Sequence, residues 1–97
     1  MLKLKRYKSD VDQETQILIN SIINSDFLSE VSRVMKKEYL LSDSSKILWS
    51  WIDTYYKTYS QAPGKLIQDI YTTQKDKLDD NDAKLIHELL TGLHRIS

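Results

Sequence analysis

The sequence predicts an all-α protein, a single compact bundle of about five short helices. Three observations carry that expectation. Apolar residues recur at three- and four-residue intervals through most of the chain. Ser, Asp and Asn clusters of the helix-capping type punctuate these stretches. No alternating strand pattern flanks a turn, and no repeat or low-complexity linker divides the 97 residues, which suffice for one core.

The chain opens with a basic arm, residues 1–10, in which Lys3, Lys5, Arg6 and Lys8 interleave with Leu2, Leu4 and Tyr7. The bundle domain is expected over 11–97. Asp10 stands three residues before Gln13, the order of an N-cap and its reciprocal partner, so a first helix is predicted over about 11–24. Its apolar residues, Ile17, Leu18, Ile19, Ile22 and Ile23, exceed one narrow stripe and predict burial on two sides, one against the bundle and one against something else. Ser25 and Asp26 are the expected cap of a shorter helix carrying Phe27, Val31, Val34 and Met35 and ending near Lys36 and Lys37, where the negative end of the helix dipole favours cations. Glu38 to Leu41 then reads as an apolar connection.

Ser42, Asp43 and Ser44 are the next capping group, ahead of an aromatic helix over about 44–60. Leu48, Ile52, Tyr55 and Tyr59 form its expected core stripe, with Trp51 on one flank. At about 100° per residue, Trp49 and Tyr56 point roughly 80° away from the centre of that stripe. They are the leading candidates for a second, partner-facing surface. Pro63 and Gly64 break the chain before a fourth helix bearing Leu66, Ile67, Ile70, Tyr71 and Leu78, with a polar stretch at 72–76 expected to fray. Asp79, Asp80, Asn81 and Asp82 set carboxylates at the positive end of a fifth helix containing Leu85, Ile86, Leu89, Leu90 and Leu93, which Gly92 is expected to interrupt or end.

Fourteen Lys and Arg balance fourteen Asp and Glu, leaving no global field to hold a phosphate backbone, so direct nucleic-acid binding is expected to be weak and confined to the arm. Cysteine is absent, which removes disulfides and thiolate chemistry and agrees with a reducing cytoplasm. No apolar run approaches the roughly 20 residues of a membrane span, so a cytoplasmic chain without membrane attachment is expected. Gly64 and Gly92 are the only glycines, too few for a phosphate-binding loop. The aspartates after Leu78 lack the turn glycine and terminal Glu of a calcium loop, and read as helix caps. His87 and His94 share a helix direction but lie two turns apart, too far to hold one metal ion. No nucleophile elbow or triad is recognisable, and neither catalytic, metal nor cofactor-binding residues are assigned.

The order of short motifs is more specific. Glu14-Thr15-Gln16-Ile17-Leu18 opens the first helix; Asp26-Phe27-Leu28 and Glu38-Tyr39-Leu40 follow; then Ile52-Asp53-Thr54-Tyr55-Tyr56-Lys57-Thr58-Tyr59 precedes Gln61-Ala62-Pro63. This sequence resembles the N-terminal domain of DnaB-type replicative DNA helicases, in particular divergent phage-like versions, over most of residues 12–90. The resemblance implies a non-catalytic head that packs with further copies into the collar of a helicase ring and recruits primase or a helicase loader in DNA replication. The family's ATPase belongs to a separate C-terminal domain with no counterpart in these residues. On this basis Trp49, Tyr56, Ile19 and Ile23 are the expected interface residues of a homo-oligomer. The alternative is a small phage or mobile-element regulator that binds a host protein or nucleic acid through Lys3, Lys5, Arg6 and Lys8.

Overall fold

The computed structural model describes the backbone of residues 10–96 and the side chains of residues 13–93. The described residues form five helices: α1 (Asp10–Ile23), α2 (Ser25–Ser32), α3 (Asp43–Tyr59), α4 (Leu66–Gln74) and α5 (Asp80–Ile96). Short 3-10 turns at Lys37–Tyr39 and Lys75–Lys77 join them, and the described residues contain no strand. The Cα radius of gyration is 12.7 Å, against about 12.5 Å for a compact domain of this length.

Local chemistry accounts for most boundaries. α2 is capped by Asn24, whose side-chain oxygen accepts from the Phe27 N–H at 3.0 Å. The expected caps, Ser25 and Asp26, lie inside the helix instead. Ser25 serves a distant segment, since its Oγ accepts the Ala62 N–H at 2.9 Å. α2 also stops at Ser32, well short of Lys36 and Lys37, and leaves Val34 exposed. Ser42 caps α3 as expected, accepting from the Ser45 N–H at 3.1 Å. At the far end of α3, Ser60 adopts the left-handed conformation and donates its N–H to the Tyr56 carbonyl at 2.7 Å.

α4 ends at Gln74 and passes into the Lys75–Lys77 turn within the stretch expected to fray. Asp79 caps α5 by accepting the Asp82 N–H at 2.8 Å. Gly92 neither interrupts nor ends α5, which continues to Ile96. A helix-interior Gly costs about 1 kcal/mol relative to Ala, which flanking turns of good helix formers tolerate.

The core is built from Leu18, Ile19 and Ile22 of α1, Leu28 of α2, Leu40 of the connection before α3, Leu48, Trp49 and Ile52 of α3, Ile67 of α4, and Ile86, Leu90 and Leu93 of α5. α1 packs on α2, α3 and α5 at once. Its broad apolar surface is therefore covered largely by the chain itself, which accounts for the two-sided burial.

The connection between α2 and α3 is pinned from both sides. A Glu14 carboxylate oxygen, Oε2, accepts the Leu41 N–H, while Lys46 Nζ donates to the Leu40 carbonyl at 2.8 Å. Glu14 is buried, and its other oxygen, Oε1, has no hydrogen-bond partner. That arrangement costs desolvation energy and is tolerated because it fixes Leu40 in the core.

Candidate functional site

The predicted interface residues separate into two groups. Trp49 is 3% and Ile19 6% exposed, and both are core side chains with almost no area to offer a partner. Ile23 is 46% exposed, and Tyr56 is half-buried against the core. The cause lies in α3. Its inward stripe runs through Ser45, Leu48, Trp49 and Ile52, with Tyr56 continuing it, and not through Tyr55 and Tyr59. With that facing, two small residues, Ser44 and Ser45, are also buried at the N-terminus of the helix. Their hydroxyls are served locally, with Ser42 Oγ 2.9 Å from Ser45 Oγ and 3.2 Å from Ser44 Oγ, so burial leaves neither without a partner. Lys3, Lys5, Arg6 and Lys8, the expected nucleic-acid contacts, lie outside the described residues, as does the side chain of His94.

Around Ile23 the structure forms a groove. The turn after α3 is drawn onto the end of α1 by a hydrogen bond from the Gly64 N–H to the Ile22 carbonyl at 2.8 Å. Gly64 is left-handed there, at φ +55°, which a side chain would strain by roughly 1–2 kcal/mol. That bond sets the start of α4 against the last turns of α5. A cavity of about 350 Å³ opens between them, lined by Ile23, Gly64, Lys65, Ile67, Gln68, Leu90 and Leu93. Ile67 and Leu90 are fully buried and Leu93 nearly so, whereas Leu66, beside Lys65, is 47% exposed. Among the described residues, Lys65 is the only charged one that lines it. The described lining is apolar with a cationic edge, suited to an apolar side chain of a partner.

A second groove follows the outer face of α3. Trp51, Tyr55 and Tyr59 recur every four residues and, with Ser50, Thr54, Thr58 and the α4 residues Ile70 and Gln74, line a cavity of about 360 Å³. The Tyr55 and Tyr59 rings lie 4.5 Å apart, tilted by 42°. The sequence predicts these aromatics in the core, and Trp51 does pack against it, whereas Tyr59 is 59% exposed. Tyr is amphipathic, so spacing alone does not tell an inward Tyr from an outward one.

Other polar contacts join elements or brace a single helix. Tyr71 donates to the Ala83 carbonyl at 3.3 Å and lies 6.0 Å from the His87 ring, which joins α4 to α5. Lys57 pairs with Asp53 at 2.9 Å one turn away. Among the described residues no group of three or more His, Cys, Asp or Glu could hold a metal ion. No helix there is long and apolar enough to cross a membrane.

Asp82, on the first turn of α5, has its carboxyl pushed above the ordinary carboxylate range by partial burial and by the negative charges of Asp79 and Asp43. The folded chain therefore holds this proton more tightly than the unfolded chain, and the carboxyl's contribution to stability is lost as pH rises through its folded pKa. Asp82→Asn is expected to melt at a higher temperature than wild type at neutral pH. The difference should shrink as pH falls below the ordinary Asp value, which thermal melts across that range would read. No family model, curated protein or solved structure matches this chain.

Proposed function

We propose that this chain is a non-catalytic protein-interaction domain of the kind found at the N-terminus of DnaB-type replicative helicases, serving self-association and the recruitment of primase or a helicase loader. Two things support the reading. The motifs that carry the resemblance succeed one another in the order of α1, α2, the Lys37–Tyr39 turn, α3 and the turn before α4. The observation that carries it furthest is the pair of exposed apolar side chains beside the groove at the junction of α1, α4 and α5, Ile23 at 46% and Leu66 at 47%. An isolated bundle gains nothing from leaving such surface in water, whereas a second copy covering it removes apolar area at about 25 cal/mol per Å².

The groove replaces Trp49 and Ile19 as the surface to test. Ile23→Asp combined with Leu66→Asp changes two exposed side chains and should leave the helical circular dichroism intact. Light scattering over a dilution series is expected to show wild type above 11.4 kDa at high concentration and the double variant at 11.4 kDa throughout. A wild type that is monomeric at every concentration would remove self-association from the proposal. Binding of an added primase or loader by wild type, lost in the variant, would carry the recruitment half.

A further inference from the structure

We infer that the basic arm of residues 1–9 docks on its own bundle, at the end where α1, α3 and α5 begin, with Leu2 and Leu4 against Leu41 and Leu85 and with Arg6 and Lys8 against Asp43 and Asp79. This goes beyond the helicase reading and does not depend on it.

Three helix starts meet at that end. Glu14, in the second turn of α1, accepts the Leu41 N–H just ahead of α3. Asp43, the first residue of α3, and Asp79, the cap of α5, both lie near enough to Asp82 for their charges to act on it. At the opposite end Ile23 of α1 lines one cavity with Leu90 and Leu93 of α5. α1 and α5 therefore start at the same end, and the arm joins α1 there, at Asp10.

The surface at this end is apolar with an acidic rim. Leu41 is 60% and Leu85 41% exposed. Leu41 lies two residues from Asp43, and Leu85 lies one turn from Asp82 on α5. Among the described residues no cation pairs with Asp43 or Asp79, and Lys46, three residues from Asp43, donates to the Leu40 carbonyl instead.

The arm complements this surface in charge and in pattern. It carries four cations and no carboxylate, whereas the rest of the chain has ten cations against fourteen carboxylates. Side chains of an extended segment alternate in direction, which sets Leu2, Leu4, Arg6 and Lys8 on one side. Nine residues reach up to ~30 Å, and Asp10 is only about 6 Å along the helix from Glu14. An exposed ion pair is weak alone, but a tether this short holds the arm at an effective concentration that a second copy does not match in dilute solution.

The chain has no native cysteine, so Lys3→Cys places a single nitroxide on the full chain, on the side of the arm away from the contact. In low salt, amide broadening is expected at Leu41, Asp43 and Leu85. It should recede at 1 M salt, where the screening length is about 3 Å. Asp43→Asn combined with Asp79→Asn, which keeps a capping side chain on α5, should reduce the broadening. Broadening spread evenly over the five helices, or unchanged by salt, would overturn the docking, and the salt series stands even if the double variant fails to fold. Mixing nitroxide-labelled chains with isotope-enriched chains that lack the label separates the copies. Broadening transferred to the unlabelled chains would make the occupant the arm of a second copy and overturn docking within one chain.

Discussion

Trp49→Ala is expected to cost about 3–5 kcal/mol of folding free energy, the range for a large buried aromatic. Trp49 sits in one cluster with Leu48, Ile52 and the α1 residues Leu18 and Ile22, where truncation leaves a void that close-packed neighbours fill only in part. Small domains have about 5–15 kcal/mol in total, so the variant should melt far below wild type or fail to fold at ordinary temperatures. Trp51→Phe, on the half-exposed side of the same helix, should change little. Urea titration monitored by circular dichroism distinguishes the two. If Trp49→Ala kept wild-type stability while altering oligomer mass, Trp49 would belong to a surface after all.

That contrast shows what was legible in the sequence. Helix number and order were, because caps at Ser42 and Asp79 and the break at Pro63 are local chemistry that bundle packing reinforces. The facing of α3 was not. Four aromatic residues lie within nine positions, Trp51 to Tyr59, so several stripes fit the spacing equally well. The inward stripe includes the buried Ser44 and Ser45, and a hydroxyl satisfied by its neighbour carries no hydrophobic signal in sequence. Ile23, expected at an interface, is exposed, but the groove beside it brings α5 near Gly64, a juxtaposition of distant parts of the chain that no local pattern signals.

The second large effect is expected at Leu28. It is the only buried residue of α2, an eight-residue helix too short to persist in water without packing. Leu28→Ala should cost about 2–5 kcal/mol. The damage should be regional, because α2 has no other fully buried side chain and beyond its packing on α1 is tied to the rest of the chain by Ser25 Oγ accepting from Ala62. Amide hydrogen exchange should show protection collapsing at Leu28, whose N–H donates to the Asn24 carbonyl, before it falls in α3. Uniform loss of protection across all five helices would mean that α2 is integral to a single cooperative unit.

The turn at 60–64 reaches back across the chain twice, through Ala62 to Ser25 and through Gly64 to Ile22. Both bonds join segments about forty residues apart in sequence, and closing so long a loop costs entropy that the intervening α2 and α3 reduce once they are packed. We therefore expect them to form late in assembly, which low φ-values for Ser25→Ala and Gly64→Ala would show. Interactions absent from the folding transition state leave the folding rate unchanged and act instead on the rate of unfolding. This turn is therefore a latch, and its bonds set how long the native chain survives between openings more than how quickly it forms.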